Sequence, residues 1–158
     1  MALACGVGTA FALGAGALSA ATPRADKAAH QANTVATADA VRVTYHPQKV
    51  AEVEVFYRQA GRRDAPGLLL LHGVPSASHM SRDLMPLPAS QYRLIAPDLP
   101  GFGNTKAPPR GRFDYSFDKL YKVIEGVTEA LGLTRYSLYV FDYGAPAGLR
   151  LAAAIRSG

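Results

Sequence analysis

Three short stretches of this sequence join side chains capable of chemistry to the glycines and prolines that make a chain turn. Tyr139-Val140-Phe141 runs into Asp142-Tyr143-Gly144-Ala145-Pro146, so a carboxylate stands where an apolar run ends. Leu68–Leu71 runs into His72-Gly73-Val74-Pro75. Leu94-Ile95-Ala96 runs into Pro97-Asp98-Leu99-Pro100-Gly101-Phe102-Gly103. A carboxylate at the apex of a strand-to-helix turn has two uses. It can cap the helix that follows by accepting backbone N–H bonds. It can also attack an electrophilic carbon, since an ionised Asp, unlike Ser, needs no base to become a nucleophile. Gly144, two residues on, lets the backbone pass close behind a strained residue. Asp98 reads as a supporting residue or a loop cap. Gly101 and Gly103 read as turn glycines, because the pair lacks the full dinucleotide fingerprint and no Walker pattern is present.

These turns need elements to hold them. Val41–Tyr45 alternates β-branched and polar residues, His46-Pro47-Gln48-Lys49 reads as a turn, and Val53–Tyr57 alternates again. Together they predict an antiparallel hairpin. Leu68–Leu71, Tyr92–Ala96 and Tyr136–Phe141 read as strands buried on both faces. Phe117, Leu120, Ile124, Val127 and Leu131 fall at helical spacing, with Ser116 as N-cap and Gly132 just past the end. A shorter, Pro-interrupted helix is expected over Ser78–Leu87. Strands alternating with helices predict an open α/β sheet whose later strands are parallel. Ligands then sit at the carboxyl ends of the strands, where the three motifs lie.

Composition narrows the function classes. The chain has 158 residues, 49% hydrophobic and 18% charged, which suits one domain with a real core. Its 17 basic and 12 acidic residues give a net charge of +5, but they are scattered, so no nucleic-acid partner is expected. The single cysteine, Cys5, excludes an internal disulfide framework and a Cys-based zinc site. No His/Asp/Glu cluster has metal-ligand spacing, and neither metal nor cofactor is expected. Residues 1–40 differ from the rest. Met1–Pro23 carries no charged side chain, Ala10–Ala21 has the length of a signal-peptide apolar region, and Ser19-Ala20-Ala21 offers small residues for cleavage. A basic start is missing. Residues 1–21 are therefore expected to export the protein to a periplasmic or secreted location, with the cytoplasm as the alternative. Residues 22–40 read as a flexible linker, and 41–158 as the folded part.

From Val41 to Gly158 the sequence resembles the N-terminal half of an α/β-hydrolase, and within that fold the epoxide hydrolase and haloalkane dehalogenase group. His72-Gly73-Val74-Pro75 resembles the oxyanion-hole loop of that group. Asp98–Gly103 resembles its next loop, and Asp142 stands where lipases and esterases have Ser. The resemblance implies a mostly parallel core sheet with an N-terminal antiparallel hairpin. It implies Asp142 as nucleophile and the backbone N–H groups of Val74 and Tyr143 as oxyanion donors. His72, Gly73, Pro75, Asp98, Gly101, Gly103 and Gly144 would shape the supporting loops. The implied substrate is a small apolar epoxide or halide, attacked at an sp³ carbon to give an alkyl ester of Asp142. Three positions depart from the group's pattern. Val140 stands where a small residue is usual, Phe141 where His or Gln is common, and Tyr143 where dehalogenases have a Trp that helps to hold the halide. The last favours epoxides.

Ester hydrolysis also needs a His and an acid, which the resemblance places after the elbow and beyond a helical cap. Residues 143–158 contain neither. The 4 histidines (His30, His46, His72 and His79) all precede Asp142. His72 is expected to hydrogen-bond the loop backbone, and His79 is a surrogate candidate for the base. The expectation is a fragment of a hydrolase with little or no turnover, so whether it acts as an enzyme stays open. The alternative is a non-catalytic binding or oligomerising module, associating with itself through the uncovered strand Tyr136–Phe141. A serine esterase would need Ser at the elbow, and Ser76 and Ser78 lie on another loop.

Overall fold

The computed structural model describes residues 42–155. The expected leader and linker, with Cys5 and His30, lie outside the described residues. Strands β1 (Thr44–Val50) and β2 (Val53–Ala60) form an antiparallel hairpin in which Val50 pairs with Val53. The reversal is therefore at Ala51-Glu52, and the expected turn residues His46–Lys49 lie inside β1. Pro47 is tolerated there because β1 is an edge strand, where the missing N–H interrupts no second ladder. The sharp backbone falls on Ala51, at φ 48.

Strands β3 (Gly67–Leu71), β4 (Arg93–Pro97) and β5 (Tyr136–Val140) complete a 5-stranded sheet of order β1-β2-β4-β3-β5. β4 pairs antiparallel with β2 and parallel with β3, and β3 pairs parallel with β5. This is the mixed sheet with a parallel later half that the sequence predicts. Helix α1 (Phe117–Ala130) has Ser116 as its N-cap, the Ser116 hydroxyl accepting from Lys119 N–H at 3.3 Å, and Gly132 follows its end at φ 65. Arg93 closes the other end, its Nη1 donating to Leu131 O at 3.0 Å, where a cation meets the negative pole of the helix. Helix α2 (Gly144–Ile155) follows β5 directly. No helix among the described residues is long and apolar enough to cross a membrane.

Period-2 side chains divide the core. Leu69, Leu71 and Ile95 meet Ile124 of α1 and Leu151 of α2 on one face. Leu70, Leu94 and Ala96 meet Met85 and Ala89 on the other. Each such buried Leu or Ile contributes about 1.5–3 kcal/mol of hydrophobic stabilisation. The 78–92 segment that carries Met85 is not the expected helix. Only Ser78–Ser81 forms a 3-10 turn, and irregular turns follow. Pro86 and Pro88 have no N–H with which to extend a helical ladder. β5 also departs from expectation. It is not buried on both faces but alternates half-buried and exposed residues, because it lies at the sheet's second edge among the described residues.

The chain covers one face between β3 and β4 and the other between β4 and β5. Connections leaving the carboxyl ends of β3 and β5 therefore diverge, and a crevice opens between them.

Candidate active site

Asp142 occupies the apex of the β5–α2 turn. Its φ is 45, a left-handed conformation that costs a residue with a Cβ about 1–2 kcal/mol and that Asp and Asn tolerate best. Neighbouring backbone bonds hold it there. Phe141 N–H donates to Leu71 O at 3.1 Å, Gly144 N–H to Phe141 O at 2.9 Å, and Ala145 N–H to Asp142 O at 2.9 Å. The Asp142 carboxylate is exposed and accepts no hydrogen bond among the described residues, so it does not cap α2.

Two glycines press the loops together. A Cβ on Gly73 would stand 2.6 Å from Asp142 Cβ and 3.2 Å from its Cγ. A Cβ on Gly144 would stand 2.7 Å from the carbonyl oxygens of both Leu71 and His72. The His72-Gly73-Val74-Pro75 loop thus lies against the elbow. Among the described residues the N–H groups of Val74 and Tyr143 have no acceptor; Val74 follows Gly73 on this loop and Tyr143 follows Asp142.

His72 and Asp98 support this loop from beneath. The His72 ring is only 2% exposed. Its Nε2 accepts from Leu99 N–H at 2.9 Å, and its Nδ1 lies 3.0 Å from Gly73 O. An acceptor at Nε2 requires the proton on Nδ1, so the imidazole is neutral and both nitrogens are engaged. Burial pushes its pKa below the ordinary histidine value, against the smaller opposing pull of the Gly73 carbonyl. Asp98 is 1% exposed. Its Oδ1 accepts from Ser78 N–H at 2.6 Å, its Oδ2 from Asn104 N–H at 2.8 Å, and its carbonyl from the Thr105 hydroxyl at 2.7 Å. It ties the strand end to the loops on either side. Gly103, at φ 55, passes so close that a Cβ would overlap Asp98 Oδ2, and Gly101, at φ 90, faces the Tyr115 ring. Pro75 lies exposed in the turn after Val74.

The other described histidines are placed differently. His46 lies in β1, its Nε2 2.9 Å from the Thr44 hydroxyl. His79 is exposed on the 3-10 turn, with no side-chain hydrogen bond among the described residues. Among the described residues no group of three His, Cys, Asp or Glu is gathered to hold a metal ion.

Sequence reasoning missed an aromatic chain that links the motifs. The Phe102 ring meets His72 edge-on at 5.5 Å and Tyr143 at 5.9 Å, and Phe117, first residue of α1, meets Tyr143 at 4.7 Å. The only signal available was Phe102 between two turn glycines. A cavity of about 270 Å³ opens here, with Phe102, Tyr115, Leu120 and Tyr143 among its walls. A wider depression of about 640 Å³ includes Gly67 and Tyr136, at the amino ends of β3 and β5 and so away from the elbow. Asp142, with its carboxylate uncapped, immediately precedes Tyr143, whose N–H is unengaged and which lines this cavity together with Arg110; a free carboxylate of this kind can attack an electrophilic carbon.

Comparison with known proteins bears on the family and the fold. Residues 66–157 match the family model described as the alpha/beta hydrolase fold. An uncharacterised hydrolase of Saccharomyces cerevisiae is 47% identical over 109 residues, covering 68% of this chain and 37% of the relative. A haloalkane dehalogenase of Psychrobacter cryohalolentis is 41% identical over 104 residues, covering 65% of this chain and 34% of the relative. The chain therefore spans about a third of the length of these curated relatives. Among solved structures, a loop variant of a haloalkane dehalogenase from Bradyrhizobium elkanii superposes with a TM-score of 0.68 at 33% identity, covering 72% of this chain and 37% of that one. A variant of the Vigna radiata epoxide hydrolase superposes with a TM-score of 0.66 at 26% identity, covering 72% and 35%.

Proposed function

Because the chain belongs to the alpha/beta hydrolase fold family, with haloalkane dehalogenases and epoxide hydrolases among its relatives, we propose that Asp142 is the nucleophile that opens a small apolar epoxide. A carboxylate oxygen attacks one ring carbon, the carbon–oxygen bond breaks, and the alkoxide takes a proton from water. The product is a hydroxyalkyl ester of Asp142. Water attack at the ester carbonyl would then place an oxyanion on the side chain, facing the Val74 and Tyr143 amides. Losing one such donor typically raises the barrier by roughly 3 kcal/mol. The observation that carries this reading is the uncapped carboxylate at φ 45, packed on Gly73, with the unengaged amides of Val74 and Tyr143 following Gly73 and Asp142.

The second step also needs a base. Both His72 nitrogens are engaged, His46 lies in β1 and His79 is exposed on the 3-10 turn. The described residues thus supply the attack and the oxyanion donors but no positioned base, and ester formation should outrun its hydrolysis. Epoxide is preferred over halide because Tyr143 follows the nucleophile. Its phenol lies by the cavity, where an indole would help to hold a departing halide.

Excess styrene oxide with intact-mass and diol measurement tests the proposal. The expected result is one adduct per chain, diol release well below one equivalent, and no adduct on folded Asp142→Ala. Absence of adduct on the folded native chain would refute the nucleophile, and sustained diol release would refute the stalled turnover.

A second reading has a specific observation in its favour. Tyr139, Phe141 and Leu149 are 46%, 50% and 67% exposed along β5 and α2. β5 carries no Lys or Pro, the residues that guard β1 at Lys49 and Pro47. Self-association through this edge would make the chain an oligomerising module. Light scattering showing a defined oligomer without any adduct would favour it.

A further inference from the structure

We infer that the cavity beside the elbow is a carboxylate-recognising substrate subsite, with Arg110 as its specificity-determining residue. The inference rests on the nucleophile proposed above and extends its substrates beyond apolar epoxides to an aryl or short alkyl epoxide that carries a carboxylate. Of the side chains lining this cavity, Arg110 alone is charged. The walls are the rings of Phe102, Tyr115 and Tyr143 with the Leu120 side chain, and the volume of about 270 Å³ is enough for one aromatic ring and a short polar tail.

Arg110 is exposed, and three observations bear on how it can meet a ligand at this cavity. Among the described residues Arg62, Arg82, Lys106, Lys119, Lys122 and Arg150 form ion pairs, and Arg110 forms none. The carboxylate nearest in sequence is already engaged, since Asp114 accepts from Ser116 N–H at 3.0 Å and from the Ser116 hydroxyl at 2.7 Å. The backbone around Arg110 is pinned on both sides. The Tyr115 hydroxyl donates to Pro108 O at 2.7 Å, and Arg112 N–H donates to Pro109 O at 2.8 Å. A planar guanidinium free of ion pairs at the edge of this cavity presents paired donors that match a carboxylate. The Tyr143 hydroxyl, with no acceptor among the described residues, lines the same cavity and adds a second donor.

Tyr143 also fixes the orientation of the substrate, because its backbone adjoins Asp142 while its ring lines the cavity. The electrophilic carbon would face Asp142 and the anionic end would face Arg110, so the two like charges stay at opposite ends.

NMR titration of the whole ¹⁵N-labelled chain with phenylacetate and with its neutral isostere phenylacetamide tests this without chemistry. Phenylacetate is expected to bind about 5- to 20-fold tighter, the range of a charge-assisted pair, and to shift the amides of Gly101, Phe102 and Tyr143. In Arg110→Gln the two ligands should bind alike, and Arg110→Lys should keep part of the preference. Equal binding to the native chain, or a preference that survives Arg110→Gln, overturns the subsite. If the native chain is not alkylated but still prefers phenylacetate, the nucleophile reading fails while anion recognition by Arg110 stands.

Discussion

Replacing one hydrogen of Gly73 by a methyl group would put a carbon 2.6 Å from Asp142 Cβ and 2.8 Å from Phe141 Cδ1. Gly73→Ala should therefore push the elbow aside, costing about 1–3 kcal/mol and slowing alkylation. Thermal unfolding and the rate of adduct formation read the two effects separately. His72 sets a pH dependence. Its native pKa is lowered by burial, so the unfolded chain, with an ordinary value near about 6.5, binds the proton more readily. The stability from neutral His72 is complete above that value and is lost as pH falls through the lower native one. His72→Gln should be less stable at neutral pH and flatter through that acid window, as urea unfolding at stepped pH would measure. Asp142 and the loop glycines were legible in the sequence because a chain that turns sharply at a strand end needs those residue types. The packing of Phe102, Phe117 and Tyr143 was not, since it depends on which strands lie side by side.

At the scale of elements, α1 was legible to its caps, because an apolar face at helical spacing between Ser116 and Gly132 leaves little choice. Ser116→Ala should cost about 1 kcal/mol of stability, measurable by denaturant unfolding. Two of the misread elements share a cause. Pro47 suggested a turn and Ser78–Leu87 suggested a helix, but local propensity yielded to tertiary context. Edge position made Pro47 harmless in β1. The 78–92 segment buries Met85 and Ala89 without needing a regular helix. Asp98 joins that segment to the 103–105 loop through both carboxylate oxygens. Asp98→Asn would turn an amide N–H toward one of these backbone donors and should cost about 1–3 kcal/mol. It should also loosen the loop that carries Val74.

For the molecule as a whole, sheet order decides where function can sit. β3 lies between β4 and β5, so the three motif-bearing strand ends converge at one crevice although residues 72 and 142 are far apart in the chain. That convergence followed from alternating strands and helices. The unequal edges did not, because β5 reads as a buried strand until its neighbours are known. Placing a charge on the uncovered edge, as in Tyr139→Lys, should shift any self-associated protein toward monomer in sedimentation velocity runs while leaving adduct formation intact. The most direct measurement is tandem mass spectrometry of the native chain after limiting exposure to styrene oxide. The expected result is a single hydroxyphenylethyl ester on the Asp142 side chain. Modification spread over exposed carboxylates such as Asp64, Asp83 and Asp118, or an unmodified Asp142, would contradict the nucleophile at the elbow.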